Sequence, residues 1–229
     1  MLRGADVSFL QGEIDWKPVA TEGLRFAIVK GAEGNKPTAD PRFTENVLGV
    51  KTAGMVAGAY NFAYPLSHID PVENAKLHFN LTDDLGSNPD ELPPALDLEW
   101  PPPDEWQKWD CSPSQIRAWA LAYLDTASSL WGCSPTLYTY PDFWMRVGGP
   151  SEQAFASYNL WIASYQHPSS WPDDTMRPFT FGPWGSNGTK LWQTSGGSFY
   201  KLPNGVPCDT DVFIGSDDDL KTFCARTLV

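Results

Sequence analysis

Pro94-Ala95-Leu96-Asp97-Leu98-Glu99-Trp100 reads as a buried strand that ends in two acids. Side chains two apart on a strand share a face, so Asp97 and Glu99 point one way while Leu96, Leu98 and Trp100 point the other. The strand rise puts the two acidic Cα atoms roughly 6.6 Å apart, which lets one carboxylate raise the pKa of the other and lets the pair divide two chemical roles. Burying both on one wall has no cheap structural rationale. Pro101-Pro102-Pro103-Asp104 follows at once and must run as extended loop from the carboxyl end of the strand.

Outward from this strand, short apolar runs alternate with helical patterns at a pitch of roughly 25 to 35 residues, the signature of βαβ units around a parallel sheet. Strand candidates fall at 4–10, 26–32, 55–63, 94–100, 136–140, 160–165, 191–194 and 209–214. Helical periods cover 40–53, 71–81, 112–130 and a short 217–224. Between Tyr165 and Leu191 the chain is rich in Pro, Gly and Ser without a helical period, so the last crossovers read as loops or short strands. The expected fold is α/β: an irregular (β/α)8-type barrel with eight strands and fewer helices, formed by residues 1–229 as a single catalytic domain.

Active sites of such barrels lie at the carboxyl ends of the strands. Asp6 sits in the first strand with Ser8 on its face, and Asp209 and Asp211 share a face near the start of the last. First and eighth strands are neighbours in a closed barrel, so Asp6, Asp97, Glu99 and Asp209 converge in one acidic cup. An isolated Asp at a strand end is more often a cap or turn residue, which makes the Asp97 and Glu99 pair the stronger signal. A carboxylate pair suggests glycoside hydrolysis, with one acid as proton donor.

Composition agrees with that chemistry. The chain holds 11 Trp, 8 Tyr and 12 Phe against 19% charged residues, and flat aromatic faces suit sugar rings, although core packing claims most of them. A net charge of -12 argues against nucleic acid or an anionic membrane as partner and gives no electrostatic help in approaching an anionic wall. Cys111, Cys133, Cys208 and Cys224 lack the short spacing of a zinc ribbon; two local disulfides and four buried thiols are both open, and either way the cysteines are structural. His68, His78 and His167 are too scattered for a metal site, and Asp217-Asp218-Asp219 reads as a helix start rather than a calcium loop, so no metal or cofactor is expected. Met1-Leu2-Arg3 enters a strand-like run without the apolar core of a secretory signal, and no run of apolar residues is long enough to span a membrane.

Several segments together resemble glycoside hydrolase family 25, the Chalaropsis-type lysozymes. They are Gly4-Ala5-Asp6-Val7-Ser8 with Asp15-Trp16, Phe26-Ala27-Ile28-Val29-Lys30-Gly31-Ala32-Glu33-Gly34, and Ala53-Gly54-Met55-Val56-Ala57-Gly58-Ala59-Tyr60-Asn61-Phe62. Ala95-Leu96-Asp97-Leu98-Glu99, Leu160-Trp161-Ile162-Ala163-Ser164-Tyr165, Leu191-Trp192-Gln193 and Asp209-Thr210-Asp211-Val212-Phe213 continue the same order. The resemblance covers nearly the whole chain. It implies a β-1,4-N-acetylmuramidase acting, as a monomer, on bacterial peptidoglycan outside the cytoplasm, reached by lysis, a holin-type pore, another export route or after removal of a signal. Glu99 is then the general acid, Asp97 the group that orients and stabilises the reacting centre, and Asp6 and Asp209 the rest of the acidic cluster. Tyr60 would stand near the reacting sugar, and Glu33, Tyr138, Trp161, Tyr165 and Trp192 would line the saccharide groove. The chain departs from the family pattern at Asn61, where His is common, at Thr194, where an aromatic residue often follows Trp-Gln, and at Asp211, where Asn is frequent. A chitinase-like N-acetylhexosaminidase and a non-catalytic sugar-binding barrel remain alternative readings.

Overall fold

The computed structural model describes residues 1–34, 38–99, 110–166, 169–179, 182–185 and 188–224. Trp100, the loop 101–104, His167 and Asn187 lie outside them. Eight strands close into a barrel: β1 (Leu2–Val7), β2 (Leu24–Glu33), β4 (Val56–Phe62), β5 (Ala95–Asp97), β6 (Thr136–Thr139), β7 (Asn159–Ala163), β8 (Thr189–Ser195) and β9 (Asp209–Phe213). A two-residue strand β3 (Thr38–Ala39) adds an antiparallel flap to the end of β2. Every one of the eight expected strands is present, but β9 runs antiparallel to both β8 and β1. Thirteen residues, 196–208, join β8 to β9 without an α-helix among them, so the chain returns as a hairpin instead of crossing over.

Among the described residues six α-helices dress the barrel: α1 (Trp16–Thr21), α2 (Phe43–Thr52), α3 (Pro71–Leu81), α4 (Pro113–Trp131), α5 (Pro141–Arg146) and α6 (Asp217–Cys224). Their limits follow local chemistry. Asp70 caps α3 by accepting from the Val72 amide at 2.8 Å, with Pro71 in the first turn, where its missing N–H costs nothing. Ser112 and Gln115 form a reciprocal capping box at the start of α4, and Gly132 ends it in the left-handed region at φ 64°. Ile116, Trp119, Ala120, Tyr123, Leu124, Ala127 and Trp131 recur at helical spacing and are the buried face of α4.

Strand alternation sorts the core into an interior and an outer layer. Phe26, Ile28, Tyr60, Ala95, Tyr138, Trp161, Leu191 and Phe213 pack together inside the barrel. Leu96, Leu98, Leu137, Leu160, Ile162, Trp192 and Val212 pack outward with the face of α4, while Ala5, Val7, Ala27, Val29, Ala57 and Ala59 pack outward with α1 and α2. Gly4 is required inside: a Cβ there would come within 2.3 Å of the Phe26 ring.

Two expected boundaries move. The first strand stops at Val7 because Ser8 accepts from the Leu10 amide and exchanges a capping box with Gln11, turning 9–11 into a single 3-10 turn. Asp40 pins that turn to the rim through the Phe9 amide at 2.9 Å. The acid-bearing strand is regular only over Ala95–Asp97, although the Leu98 amide still donates to the Tyr138 carbonyl, and Glu99 therefore projects from the rim just past the ladder. None of the four cysteines is in a disulfide.

Candidate active site

Asp6 stands at the carboxyl end of β1, opposite Asp209 in the β1–β9 register. The reversed direction of β9 makes this possible: its amino end, not its carboxyl end, reaches the rim where the parallel strands finish. Asp97, at the end of β5, pairs with Phe62 of β4 and Tyr138 of β6. Asp6, Asp97 and Asp211 are buried, and Glu99 is half-buried above them.

Burial dominates the electrostatics of this cup. Desolvation, followed by the charge of Glu99, pushes the Asp97 carboxyl well above the ordinary range. Desolvation and the charge of Asp6 push Glu99 up to about 7 and Asp209 up to about 8. Asp6 is also raised by burial, but a hydrogen bond from Gln193 and the positive charge of Lys30 work against the rise. Lys30 is itself buried; its Nζ lies 2.6 Å from Glu33 Oε2 and over the rings of Tyr60 and Phe62 at 5.8 and 5.3 Å. Glu33 Oε1 takes a further hydrogen bond from the Tyr64 hydroxyl at 2.9 Å. Glu33 thus fixes the cation that faces the acids.

Below the carboxyls, aromatic and amide groups form the floor. Trp161 meets Tyr138 and Tyr60 edge to face, with centroids 4.5 and 6.2 Å away, and its Nε1 donates to Asp211 Oδ1 at 2.8 Å. Gln193 is the hub. Its Oε1 accepts from the hydroxyls of Tyr138 (2.9 Å) and Tyr165 (2.6 Å), and its Nε2 donates to Asp6 Oδ2 at 2.8 Å. Beside Glu99 a cleft of about 580 Å³ opens between Tyr138, Tyr140, Asp142, Ser164, Tyr165 and Gln166. Tyr165 is 49% exposed along it.

Of the residues expected at the site, Asp6, Asp97, Glu99, Asp209, Tyr60, Tyr138, Trp161 and Tyr165 are brought together, and Glu33 joins them through Lys30. Trp161 lies beneath the acids at 2% exposure, so it forms floor rather than groove wall. Trp192 does not join them. It is fully buried in the outer layer and donates its Nε1 hydrogen to the Ser164 carbonyl at 2.8 Å, because alternation along β8 turns it away from Gln193. Its placement as a groove residue is corrected to core. Gln193 and Lys30 escaped the sequence reading, yet the same parity marks both: Gln193 shares the inward face of Leu191, and Lys30 that of Phe26 and Ile28. Asn61 faces outward into a buried network with Asn74 and Tyr123 at 2.9 and 3.3 Å, so the departure there leaves the cup untouched. Thr194 likewise turns away, bonding to Thr210 Oγ1 at 2.8 Å.

The fold as a whole is shared with known proteins. The bacterial lysozyme of Streptomyces coelicolor superposes with a TM-score of 0.82 at 25% identity, covering 97% of this chain and 96% of that one. The N,O-diacetylmuramidase of Chalaropsis sp is 28% identical over 190 residues, 76% of this chain and 86% of the relative. Lysozyme M1 of Streptomyces globisporus is 28% identical over 166 residues, which take in 72% of this chain and 55% of that protein. The sequence profile of Glycosyl hydrolases family 25 matches residues 5–199, spanning β1 through β8 and with them Asp6, Asp97, Glu99 and Gln193. The chain belongs to glycosyl hydrolases family 25.

Proposed function

We propose that the acidic cup hydrolyses the β-1,4 bond between N-acetylmuramic acid and N-acetylglucosamine, with Glu99 as general acid. The chain is a glycoside hydrolase of the lysozyme and muramidase kind, and its substrate is peptidoglycan of the bacterial cell wall. The observation that carries the assignment of Glu99 is its position. Of the carboxyls of the cup it is the one that lines the open cleft, and burial together with the Asp6 charge brings it up to about 7, where it holds a proton to give and can take one back.

The first step transfers that proton to the glycosidic oxygen as the bond to the muramic C1 breaks. Asp97 Oδ1 is buried with no partner among the described residues, which supports a role in receiving the N–H of the sugar's 2-acetamido group. The acetamido oxygen then bonds to C1 in a substrate-assisted route, giving an oxazolinium-like centre. Water next attacks C1, the ring opens back to the amide, and Glu99 takes the proton of the water. Asp6 is bound by Gln193 and lies deeper, which suits a supporting charge better than a nucleophile.

Mass spectrometry of fragments released from purified peptidoglycan tests the bond: new N-acetylmuramic reducing ends are expected. New N-acetylglucosamine ends would assign the chain to the other hexosaminidase class, and no cleavage would support a sugar-binding barrel. Replacing N-acetyl on the cleaved muramic acid by N-trifluoroacetyl should slow cleavage steeply, because fluorine drains the attacking oxygen. A sugar ester trapped on Asp6, Asp97 or Asp209 would overturn that route.

A further inference from the structure

Asp211 lies outside the roles given above, and its surroundings are unusual for a carboxylate. It is fully buried on the inward face of β9, in register with Gly4 of β1 and Gln193 of β8. Trp161 Nε1 of β7 donates to Oδ1, while Oδ2 has no donor to accept from among the described residues. The neighbouring carboxyl is that of Asp6: its register partner on β9 is Asp209, and Asp211 stands two residues further along the same inward face. Two carboxyl groups can share a hydrogen bond only when one of them carries a proton.

The surroundings decide which. Asp6 accepts from Gln193 Nε2 at 2.8 Å and feels the positive charge of Lys30 on β2. Asp211 faces the carboxyls of Asp6 on β1 and Asp209 on its own strand, with one neutral indole N–H from β7. Placing the charge on Asp211 would leave an anion in a dry wall beside two others, at a cost that protonation removes.

We propose that Asp211 is a positioning residue, a carboxylic acid that keeps its proton through neutral pH and donates it from Oδ2 to the Asp6 carboxylate. Gln193 and Asp211 then hold Asp6 from two sides, as two amides would, and keep it the oriented anion of the cup. The protonated form also explains the orphaned oxygen, since Oδ2 is a donor there. Burial and the charge of Asp6 both drive Asp211 well above the ordinary carboxylate range, in the same direction. The catalytic consequence rests on the reading of the cup under Proposed function; the protonation state does not.

The test uses the intact chain, with D211N and D211L variants. Infrared difference spectra of wild type minus D211N at neutral pH should contain the carbonyl stretch of a protonated carboxylic acid, and a carboxylate band in its place would overturn the proposal. Leucine fills similar space without a donor, so D211L should lose kcat by about 10- to 100-fold, the value of one buried hydrogen bond to a charged group, with KM changed much less. D211N restores a donor without a charge, so it should recover most of the lost rate and keep the wild-type pH optimum. If Asp211 were ionised, D211N would remove a negative charge from beside Asp6 and Asp209 and move the optimum to lower pH, which would also overturn the proposal. Should D211L fail to fold, the infrared bands and the D211N pH profile still decide. An active Glu99→Gln enzyme would defeat the assignment of the acid while leaving the infrared band in place, so the two failures are distinguishable.

Discussion

Replacing Glu99 by Gln should destroy activity and stabilise the fold, in a pH-dependent way that follows from the site. Burial and the Asp6 charge push this carboxyl from 4.5 up to about 7. The unfolded chain releases the proton near 4.5 while the folded chain holds it to about 7, so between these values the folded state binds more protons and stability falls as pH rises. Integrated across that window, the Glu99 carboxyl costs the fold nearly nothing at about pH 4 and about 3 kcal/mol by pH 7. Glutamine has the same shape and does not ionise, so the variant regains that amount at neutral pH. For a chain of this size the gain should raise Tm by roughly 5 to 10 °C at pH 7, and the advantage should vanish near pH 4. The same amide cannot protonate a leaving oxygen, which should cost on the order of 100-fold to 10,000-fold in kcat on unactivated peptidoglycan. Calorimetry from about pH 4 to about pH 8, paired with a turbidity assay of wall lysis, reads both effects. A folded Glu99→Gln protein with near wild-type lysis would remove Glu99 from the acid role, and Tm differences that do not change with pH would refute the electrostatic reasoning.

Asp97→Asn should lower kcat much more than it raises KM, because the Asp97 carboxyl, unlike an amide, can take up negative charge as positive charge develops beside it; a pure KM effect measured on soluble glycan fragments would contradict this. Trp192→Ala should cost roughly 3 to 5 kcal/mol in denaturant unfolding through the cavity left in the outer layer; a loss of saccharide affinity without loss of stability would return Trp192 to the groove. At a net charge of -12, lysis of walls rich in anionic polymers should rise from low to moderate ionic strength as repulsion is screened. A monotonic fall from the lowest salt would mean that a local basic patch governs approach.

The sequence by itself determined the barrel and its principal acids, because both are written in local signals. Apolar runs bounded by turn residues mark strands wherever they pair, and the helical period over 71–81 coincides with a helix that Asp70 caps and Pro71 opens. Asp97 and Glu99 were legible because two acids inside an apolar strand violate the pattern around them. Parity along the chain was informative too: it separates Gln193 from Trp192, and the aromatic residue drew attention away from the neighbour that faces the cup. Only the tertiary structure decided how distant strands meet. The direction of β9 depends on what its hairpin returns to, and that direction alone carries Asp209 and Asp211 to Asp6. The pairing of Lys30 with Glu33 across the end of β2 and the burial that raises the carboxyls are likewise properties of the closed barrel. A carboxyl's protonation state depends on the water removed and the charges brought near it, and neither exists until the strands have closed around it.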